Sequence, residues 1–233
     1  MFDKIKADVY EANLLLPKYD LVKFTWGNVS QITKDRKYII IKPSGVEYEK
    51  LTPDDMVVID MNGKVIEGDL NPSSDTPTHI KLYQEFPNIW GITHTHSRWA
   101  TIMAQAKMNI KAMGTTHADY FYGTIPVTRD MTEKEVENDY EKNTGVVIIE
   151  KFEELNLDPE QIPAILVANH GPFTFGNSAK GSVFHSVVLE EVAFMAYHAK
   201  LLGEDYSMNN YLLDKHYLRK HGDNAYYGQK SKS

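Results

Sequence analysis

The sequence predicts a mixed α/β fold in which at least part of the sheet is antiparallel. Apolar residues recur at helical spacing near the start of the chain and again in a long segment after Ser178. Several short apolar runs of strand length lie between these helices, and Asn62-Gly63, typical of tight hairpins, separates two of them. With 233 residues, of which 42% are apolar, the chain is expected to form one domain with a substantial core.

In the first part of the chain, one helix is followed by short strands. The first helix is predicted where four apolar residues share one face before Pro17, namely Ile5, Val9, Ala12 and Leu16. Strands are predicted next over residues 21–32, 38–41, 56–60 and 64–66. A second helix is predicted to begin at Thr76-Pro77, with Thr76 as the cap and the proline in the first turn.

The second part of the chain is predicted to be mainly helical, with two buried strands. The strands cover residues 89–96 and 165–168, and the latter ends at Asn169-His170-Gly171-Pro172. Ser97 is predicted to cap a helix that ends near Gln105. A further helical region is predicted from Thr132, where Glu135 completes a capping box, through Ile148, Phe152 and Leu155. A long helix is predicted from Ser178 to Gly203, with Val183, Val187, Phe194 and Met195 facing inward. The last helix is predicted from Met208 to about Arg219.

The composition excludes several classes of site. The chain has no cysteine, so it cannot form a disulfide scaffold, a thiolate zinc site, an iron-sulfur cluster or a cysteine nucleophile. Nor does it contain a Gly-x-Gly pair or the Walker lysine signature, which argues against nicotinamide and nucleotide binding by the common loops. Any metal must therefore be held by nitrogen and oxygen atoms.

The charge and hydropathy of the chain limit its partners. The net charge of −7 makes it a poor general binder of nucleic acid or of anionic membranes, which attract lysine and arginine. No stretch approaches the ~18 consecutive apolar residues of a membrane span, and no apolar signal segment follows Met1. We therefore expect a cytoplasmic protein with no nucleic-acid or membrane partner, in which an anionic substrate would need a local positive patch.

Among the histidines, His94-Thr95-His96 is the most informative group. Residues two apart on a strand point to the same face, so both imidazoles would project together from the strand over 89–96. His170 also lies where a buried strand ends. Asp75 is a further candidate, although an acid at a helix start also complements the helix dipole. The spacing is compatible with a metal site and also with separate local roles for these residues. A metal site of this kind would suit zinc or, as substitutes, cobalt or manganese.

Three small polar turns could offer donors to an anion. They are Gly27-Asn28, the segment from Lys42 to Gly45 that includes Ser44, and Ser73-Ser74. Backbone N–H groups and hydroxyls in such turns can bind phosphate. The same composition is also typical of ordinary turns, so these segments alone do not decide between the two interpretations.

Taken together, the segments resemble the class II aldolase and adducin-head superfamily, and within it the L-ribulose-5-phosphate 4-epimerases. The matching motifs extend through nearly the whole chain. They include Thr25-Trp26-Gly27-Asn28-Val29-Ser30, Ile41-Lys42-Pro43-Ser44-Gly45-Val46, Pro72-Ser73-Ser74-Asp75-Thr76-Pro77, His94-Thr95-His96-Ser97-Arg98, Thr116-His117-Ala118-Asp119-Tyr120, His170-Gly171-Pro172-Phe173 and His216-Tyr217-Leu218-Arg219.

The resemblance implies a site for each part of a sugar-phosphate substrate. It implies a zinc ion held by Asp75, His94, His96 and His170. It also implies a phosphate and hydroxyl pocket made by seven residues, namely Gly27, Asn28, Lys42, Ser44, Gly45, Ser73 and Ser74. Asp119 and Tyr227 are the acid/base residues that it implies.

The resemblance further implies a fold and an assembly. The fold is a three-layer α/β/α sandwich around a largely antiparallel sheet, formed by a single domain over residues 1–233. The assembly is a homotetramer with active sites between subunits. A neighbouring subunit contributes to each site the tail 223–233, which includes Tyr227, and also His216 and Arg219.

Two related functions remain as alternatives to epimerisation. Fuculose-phosphate aldolases share the metal pattern but carry a glutamate where this chain has Asp75, and this difference favours the epimerase interpretation. Adducin-like modules keep the fold without catalysis, and the intact histidines argue against that role.

Overall fold

The computed structural model describes residues 2–203, 207–222 and 225–226, which contain seven strands, eight α-helices and two short 3-10 helices, Tyr48–Lys50 and Pro53–Asp55. The strands are β1 (Asn28–Ile32), β2 (Tyr38–Ile41), β3 (Val57–Asp60), β4 (Val65–Glu67), β5 (Gly91–His94), β6 (Ala164–Val167) and β7 (Gly171–Gly176). The helices are α1 (Asp3–Lys18), α2 (Thr76–Glu85), α3 (Arg98–Gln105), α4 (Thr115–Ala118), α5 (Glu133–Glu137), α6 (Tyr140–Glu154), α7 (Ala179–Leu202) and α8 (Asn210–His221).

All seven strands form one sheet in the order β4-β3-β2-β1-β5-β7-β6, and every neighbouring pair is antiparallel. The predicted hairpin at Asn62-Gly63 is present, because β3 and β4 pair across it and Gly63 has a φ of +84°. A positive φ is a conformation that glycine adopts without steric cost. The sequence prediction of antiparallel pairing is therefore confirmed.

Helices cover both faces of this sheet. Along β2 the side chains alternate, so that Ile39 joins a cluster with Leu82 of α2 and Phe152 of α6, whereas Ile40 joins a cluster with Val9 of α1. A third cluster packs α3 and α7 together on the same side as α1. Alternation of buried residues on both faces is what a covered sheet requires. The three-layer α/β/α sandwich is confirmed.

Strand β7 is the main element that the sequence analysis missed. Its sequence begins with Gly171-Pro172, which usually marks a loop, yet it lies between β5 and β6 in the sheet. A Cβ atom at Gly171 would lie 2.6 Å from the carbonyl oxygen of Thr95, so only glycine permits this close approach. The glycine that suggested a loop is therefore present because of this close contact with Thr95, which the local sequence does not show.

Several predicted boundaries and faces differ from the structure. The strand predicted over 21–32 begins only at Asn28, because Phe24 has a left-handed φ of 52° that interrupts extended backbone. Asp75, rather than Thr76, occupies the cap position of α2. Phe194 and Met195 are exposed on α7, because the buried face of this helix is the one that carries Leu189, Val192, Ala193 and Ala196.

The predicted start of α3 is confirmed in position but not in how it is capped. Ser97 occupies the cap position, but its side chain makes no capping hydrogen bond. By contrast, the capping box at α5 is confirmed, because Thr132 and Glu135 each accept a hydrogen bond from the other's backbone N–H.

In the described ranges, no helix is both long enough and apolar enough to cross a membrane.

Candidate metal and substrate site

The register of the sheet brings His94 and Asn28 side by side. Asn28 begins β1 and lies opposite His94, the last residue of β5, while Phe173 of β7 lies opposite His94 on its other side. The His94 ring stacks on the Phe173 ring, with a centroid distance of 4.3 Å. Its Nδ1 lies 3.0 Å from the carbonyl oxygen of Pro172 and donates a hydrogen bond to it, which leaves Nε2 free to bind a metal.

Two further histidines complete a triad with His94. His170 lies in the tight turn between β6 and β7, where Asn169 adopts a left-handed φ of 62°, and His96 follows the end of β5. The ring centroids of the three pairs are 4.7 to 5.1 Å apart. One nitrogen from each ring lies within 4.8 Å of the others. The end of β5 and the turn between β6 and β7 thus place three imidazole donors around one point.

The electrostatic surroundings keep these imidazoles suited to binding a cation. Burial, assisted by the neighbouring His94, lowers the pKa of His96 to about 4 and that of His170 to about 3. At neutral pH both rings are therefore uncharged and hold a free nitrogen lone pair, which is the form that coordinates metal. The donor set fits a divalent ion that prefers nitrogen ligands, with room left for substrate oxygens.

Asp75 lies beside the triad rather than within it. Its Oδ2 accepts a hydrogen bond of 2.7 Å from the side-chain amide of Asn28 and lies 4.0 Å from Nε2 of His94. Burial alone would raise the pKa of this carboxyl, but His94, His79 and the Asn28 amide together hold it below its usual value. The carboxylate is ionised and faces the histidines.

The polar turns and the triad line one cavity of about 640 Å³. The backbone N–H of Ser44 donates to the carbonyl of Asn71 at 2.9 Å, and that of Ser73 donates to the carbonyl of Lys42 at 3.0 Å, so two of the turns are bonded together. The Asn28 amide also donates to the Ser73 hydroxyl at 3.0 Å. All seven residues predicted for the phosphate and hydroxyl pocket line this cavity, together with Asp75 and the three histidines.

Lys42 contributes to this cavity in an indirect way. Its side chain is buried, and its ammonium group donates to the carbonyls of Val46 at 2.9 Å and Pro43 at 3.3 Å while lying 4.8 Å from the Tyr48 ring centroid. Burial lowers the pKa of Lys42 to about 8, so most of the lysine is still charged at neutral pH. It holds the turn around Ser44 in place and adds positive charge to the cavity wall.

Of the remaining predicted residues, the three that the structure describes form a second cluster outside the cavity lining. Asp119 follows α4 and accepts hydrogen bonds from His216 Nδ1 at 3.0 Å and from Arg219 Nη2 at 2.9 and 3.0 Å. Lys220 Nζ lies 3.2 Å from Oδ2 of Asp119. Burial raises the pKa of Asp119, but these three donors outweigh it and lower the pKa below the usual value. Tyr227 lies outside the described residues.

Three residues at the cavity were not identified from the sequence. Tyr140 and Glu141 begin α6 and line the cavity, and the Tyr140 hydroxyl lies 3.4 Å from Nδ1 of His170. The half-exposed Trp26 has its ring 6.2 Å from that of His96. Trp26 belongs to a quoted motif, whereas Tyr140 and Glu141 carry no local signal, because folding alone brings α6 to the triad.

Comparison with known families identifies the class of protein. A model of the family described as Class II Aldolase and Adducin N-terminal domain matches residues 7–197, so the chain belongs to this family. Divalent-metal dependence is typical of class II aldolases, and the histidine triad provides a site for such an ion.

Solved structures with the same fold include several L-fuculose 1-phosphate aldolases. One is 25% identical, with a TM-score of 0.77 over 91% of this chain and 94% of that chain. Another, from Glaciozyma antarctica, is 15% identical, with a TM-score of 0.76 over 96% of this chain and 84% of that chain. A third, from Thermus thermophilus, is 21% identical, with a TM-score of 0.67 over 87% and 98% of the two chains.

Proposed function

We propose that the chain is an L-ribulose-5-phosphate 4-epimerase that forms D-xylulose 5-phosphate. The observation that carries this proposal is the single cavity in which His94, His96 and His170 adjoin Asp75 and the anion-binding turns. A divalent metal site beside a set of hydroxyl and backbone donors suits a phosphorylated keto sugar. The aspartate at position 75, where fuculose-phosphate aldolases carry glutamate, favours the epimerase activity over the aldolase activity.

The chemistry of the substrate requires a carbon–carbon bond to break. C4 lies one carbon too far from the C2 ketone for its hydrogen to be acidic, so simple deprotonation cannot invert it. Removal of the C4 hydroxyl proton breaks the C3–C4 bond and gives the enediolate of dihydroxyacetone and glycolaldehyde phosphate. Rotation of the aldehyde, addition to its other face and return of a proton to the C4 oxygen complete the inversion.

The residues of the cavity provide charge stabilisation and orientation. A divalent cation held by Asp75, His94, His96 and His170 would supply a Lewis acid for the enediolate charge, worth several kcal/mol. Zinc suits these ligands best, with cobalt or manganese as substitutes. The amide oxygen of Asn28 is buried without a hydrogen-bond partner in the described part of the chain, so it can accept a bond from a substrate hydroxyl.

We propose that proton transfer is completed by another copy of the chain. Asp119 and Tyr227 are the proposed acid/base groups, on opposite sides of the aldehyde. Asp119, His216 and Arg219 cluster together and do not line the histidine cavity of their own chain, which supports a site assembled between subunits. The proposed assembly is a homotetramer in which the tail 223–233 reaches a neighbouring cavity, and the proposed location is the cytoplasm.

A fuculose-phosphate aldolase activity is the second candidate. It is supported by the L-fuculose 1-phosphate aldolase that is 25% identical and covered over 94% of its length. Such a lyase would use the same metal site but would release its aldehyde and ketone fragments rather than rejoin them.

The two activities are distinguished by products. Purified protein, stripped of metal and reloaded with Zn²⁺, Co²⁺ or Mn²⁺, is incubated separately with L-ribulose 5-phosphate and with L-fuculose 1-phosphate. We expect D-xylulose 5-phosphate from the first and no stoichiometric release of free aldehyde from the second. Fast aldehyde release from the second substrate, without epimerisation of the first, would favour the lyase. A protein that binds no metal and converts neither substrate would support a non-catalytic role.

A further inference from the structure

The carboxylate of Glu190 caps helix α3 from a distant part of the chain. Glu190 lies on α7, and its Oε1 accepts the backbone N–H of Trp99 at 2.8 Å while its Oε2 accepts that of Ala100 at 3.0 Å. These N–H groups belong to the first turn of α3, where no intrahelical acceptor is available. A negative charge at this end also interacts favourably with the helix dipole.

The local residue that would normally cap α3 does not do so. Ser97 occupies the cap position, yet its side chain makes no capping bond, and its hydroxyl oxygen is buried with no hydrogen-bond partner among the described residues. A serine at this position usually accepts the N–H groups two or three residues later. Glu190 takes both of these bonds instead, so the start of α3 is fixed by α7.

Among the three histidines of the candidate metal site, His96 depends most on its own backbone for its position. The His94 ring is held by the carbonyl of Pro172 and by stacking on Phe173, and the Tyr140 hydroxyl lies 3.4 Å from the His170 ring. No residue that the structure describes makes a hydrogen bond to the His96 ring. His96 immediately precedes Ser97, so the position of this imidazole depends on the first turn of α3 and on the Trp26 ring, whose centroid lies 6.2 Å away.

We infer that Glu190 is a positioning residue for the metal centre, which holds His96 in place through the N-terminal turn of α3. This inference rests on the proposed function, because it takes the three histidines as the metal ligands. Outer groups that orient a ligand typically change metal affinity 10- to 100-fold when they are removed. Glu190 would have this effect through the backbone rather than through the imidazole itself.

Metal affinity provides the test. Apoprotein is titrated with Co²⁺, and the dissociation constant is measured by competition with a chromophoric chelator, for the wild type, Glu190→Gln and Glu191→Gln. Glutamine keeps the size of the side chain but replaces one acceptor oxygen with an NH₂ group. This group is a donor and cannot accept a hydrogen bond from a backbone N–H of the helix. We expect Co²⁺ to bind about 10- to 100-fold more weakly to Glu190→Gln. The neighbouring Glu191 is exposed, so its variant is a matched control with unchanged affinity.

A double-mutant comparison separates positioning from general destabilisation. Glu190→Gln is combined with His96→Ala, and the same affinities are measured at a temperature well below unfolding. If Glu190 acts through His96, its substitution should have no further effect on Co²⁺ binding once the imidazole is gone. A loss of similar size in both backgrounds would overturn the inference. Glu190→Asp, which keeps the charge, is the second variant if the glutamine protein fails to fold, and it should also bind Co²⁺ more weakly than the wild type.

The remaining outcomes separate this inference from the proposed function. Unchanged Co²⁺ affinity in both Glu190 variants, with His96→Ala clearly weakened, would overturn the positioning role and leave the metal centre intact. Equal affinity of the wild type and His96→Ala, or no binding by either, would overturn the metal centre and this inference with it.

Discussion

At the residue scale, Asp119 is both the proposed acid/base group and an observed anchor for α8. Its carboxylate is ionised because His216, Arg219 and Lys220 surround it, and the last two bring permanent positive charge from α8. These contacts orient the carboxylate and fix α8 to the segment after α4. A change at Asp119 can therefore affect both proton transfer and the position of α8, and the two effects must be separated.

We predict that Asp119→Asn lowers kcat by about 10² to 10⁴ while the metal content stays unchanged. The amide keeps the shape of the side chain but cannot accept a proton from the substrate hydroxyl. The measurement is kcat for L-ribulose 5-phosphate together with elemental analysis of the metal. Unchanged kcat would remove Asp119 from proton transfer.

Asp214→Asn is the matched control for this prediction. Asp214 also joins α8 to the same segment, because its Oδ1 accepts a hydrogen bond of 2.6 Å from the Tyr122 hydroxyl. It does not line the histidine cavity. We expect near wild-type kcat, and an equal loss in both variants would attribute the effect of Asp119 to anchoring.

Gly27 lines the cavity at a position where there is no room for a side chain. It has a φ of +76°, and a Cβ atom there would lie 2.7 Å from Val22 Cγ1 and 2.9 Å from the carbonyl oxygen of His94. We predict that Gly27→Ala lowers the free energy of unfolding by about 2–5 kcal/mol, from backbone strain and overpacking together. Urea unfolding measures this loss.

Gly45→Ala provides the comparison for Gly27→Ala. Gly45 lies in the same cavity with a φ of +69°, but a Cβ atom there has no neighbour within 4 Å. Only the backbone strain of about 1–2 kcal/mol remains. Equal losses in the two variants would show that the space around Gly27 is not limiting.

At the element scale, α2 is held at its C-terminus by one arginine. Arg36 Nη1 donates to the carbonyls of Pro87 at 2.8 Å and Ile89 at 3.1 Å, and Nη2 donates to those of Tyr83 and Phe86. The C-terminal carbonyls of a helix lack intrahelical donors and carry partial negative charge. Since Asp75 lies at the other end of α2, this contact helps to place a residue of the cavity.

We predict that Arg36→Lys lowers the free energy of unfolding by about 1–3 kcal/mol. A lysine has a single charged nitrogen and cannot reach carbonyls on both sides of the helix end. Chemical denaturation of this variant is compared with Lys37→Ala, whose exposed side chain should change stability by less than about 0.5 kcal/mol. Equal stability of Arg36→Lys and the wild type would contradict a role for the guanidinium fork.

At the scale of the whole molecule, the candidate site consists of two separate parts. The histidine cavity lies at the ends of the central strands, and the Asp119 cluster lies where α8 meets the segment after α4. If the proposed tetramer forms, each active site takes one part from each of two subunits. Activity would then be a property of neighbouring pairs of chains.

We predict that two inactive variants restore activity when their subunits are mixed. His96→Ala lacks a metal ligand but keeps Asp119, and Asp119→Asn has the opposite defect. Random mixing in a cyclic assembly gives both intact parts at about a quarter of the interfaces, so about a quarter of wild-type activity is expected. Differently tagged subunits confirm exchange. Exchange without recovered activity would contradict an intersubunit site.

The sequence by itself determined the features that depend on local pattern. The antiparallel hairpin at Asn62-Gly63, the capping box at Thr132 and the long helix after Ser178 follow from turn chemistry, capping and periodicity. The absence of cysteine limited any metal ligands to nitrogen and oxygen. The family motifs, rather than spacing, connected His170 with His94 and His96.

Only the tertiary structure decided how distant parts of the chain complete one another. Gly171-Pro172 begins an interior strand, and Gly171 lies where the backbone of Thr95 comes too close for a side chain. Likewise, α3 is capped by Glu190 instead of the adjacent Ser97. Such contacts join residues far apart in sequence, and their energies depend on atoms that meet only after the chain has folded, so no local pattern reveals them.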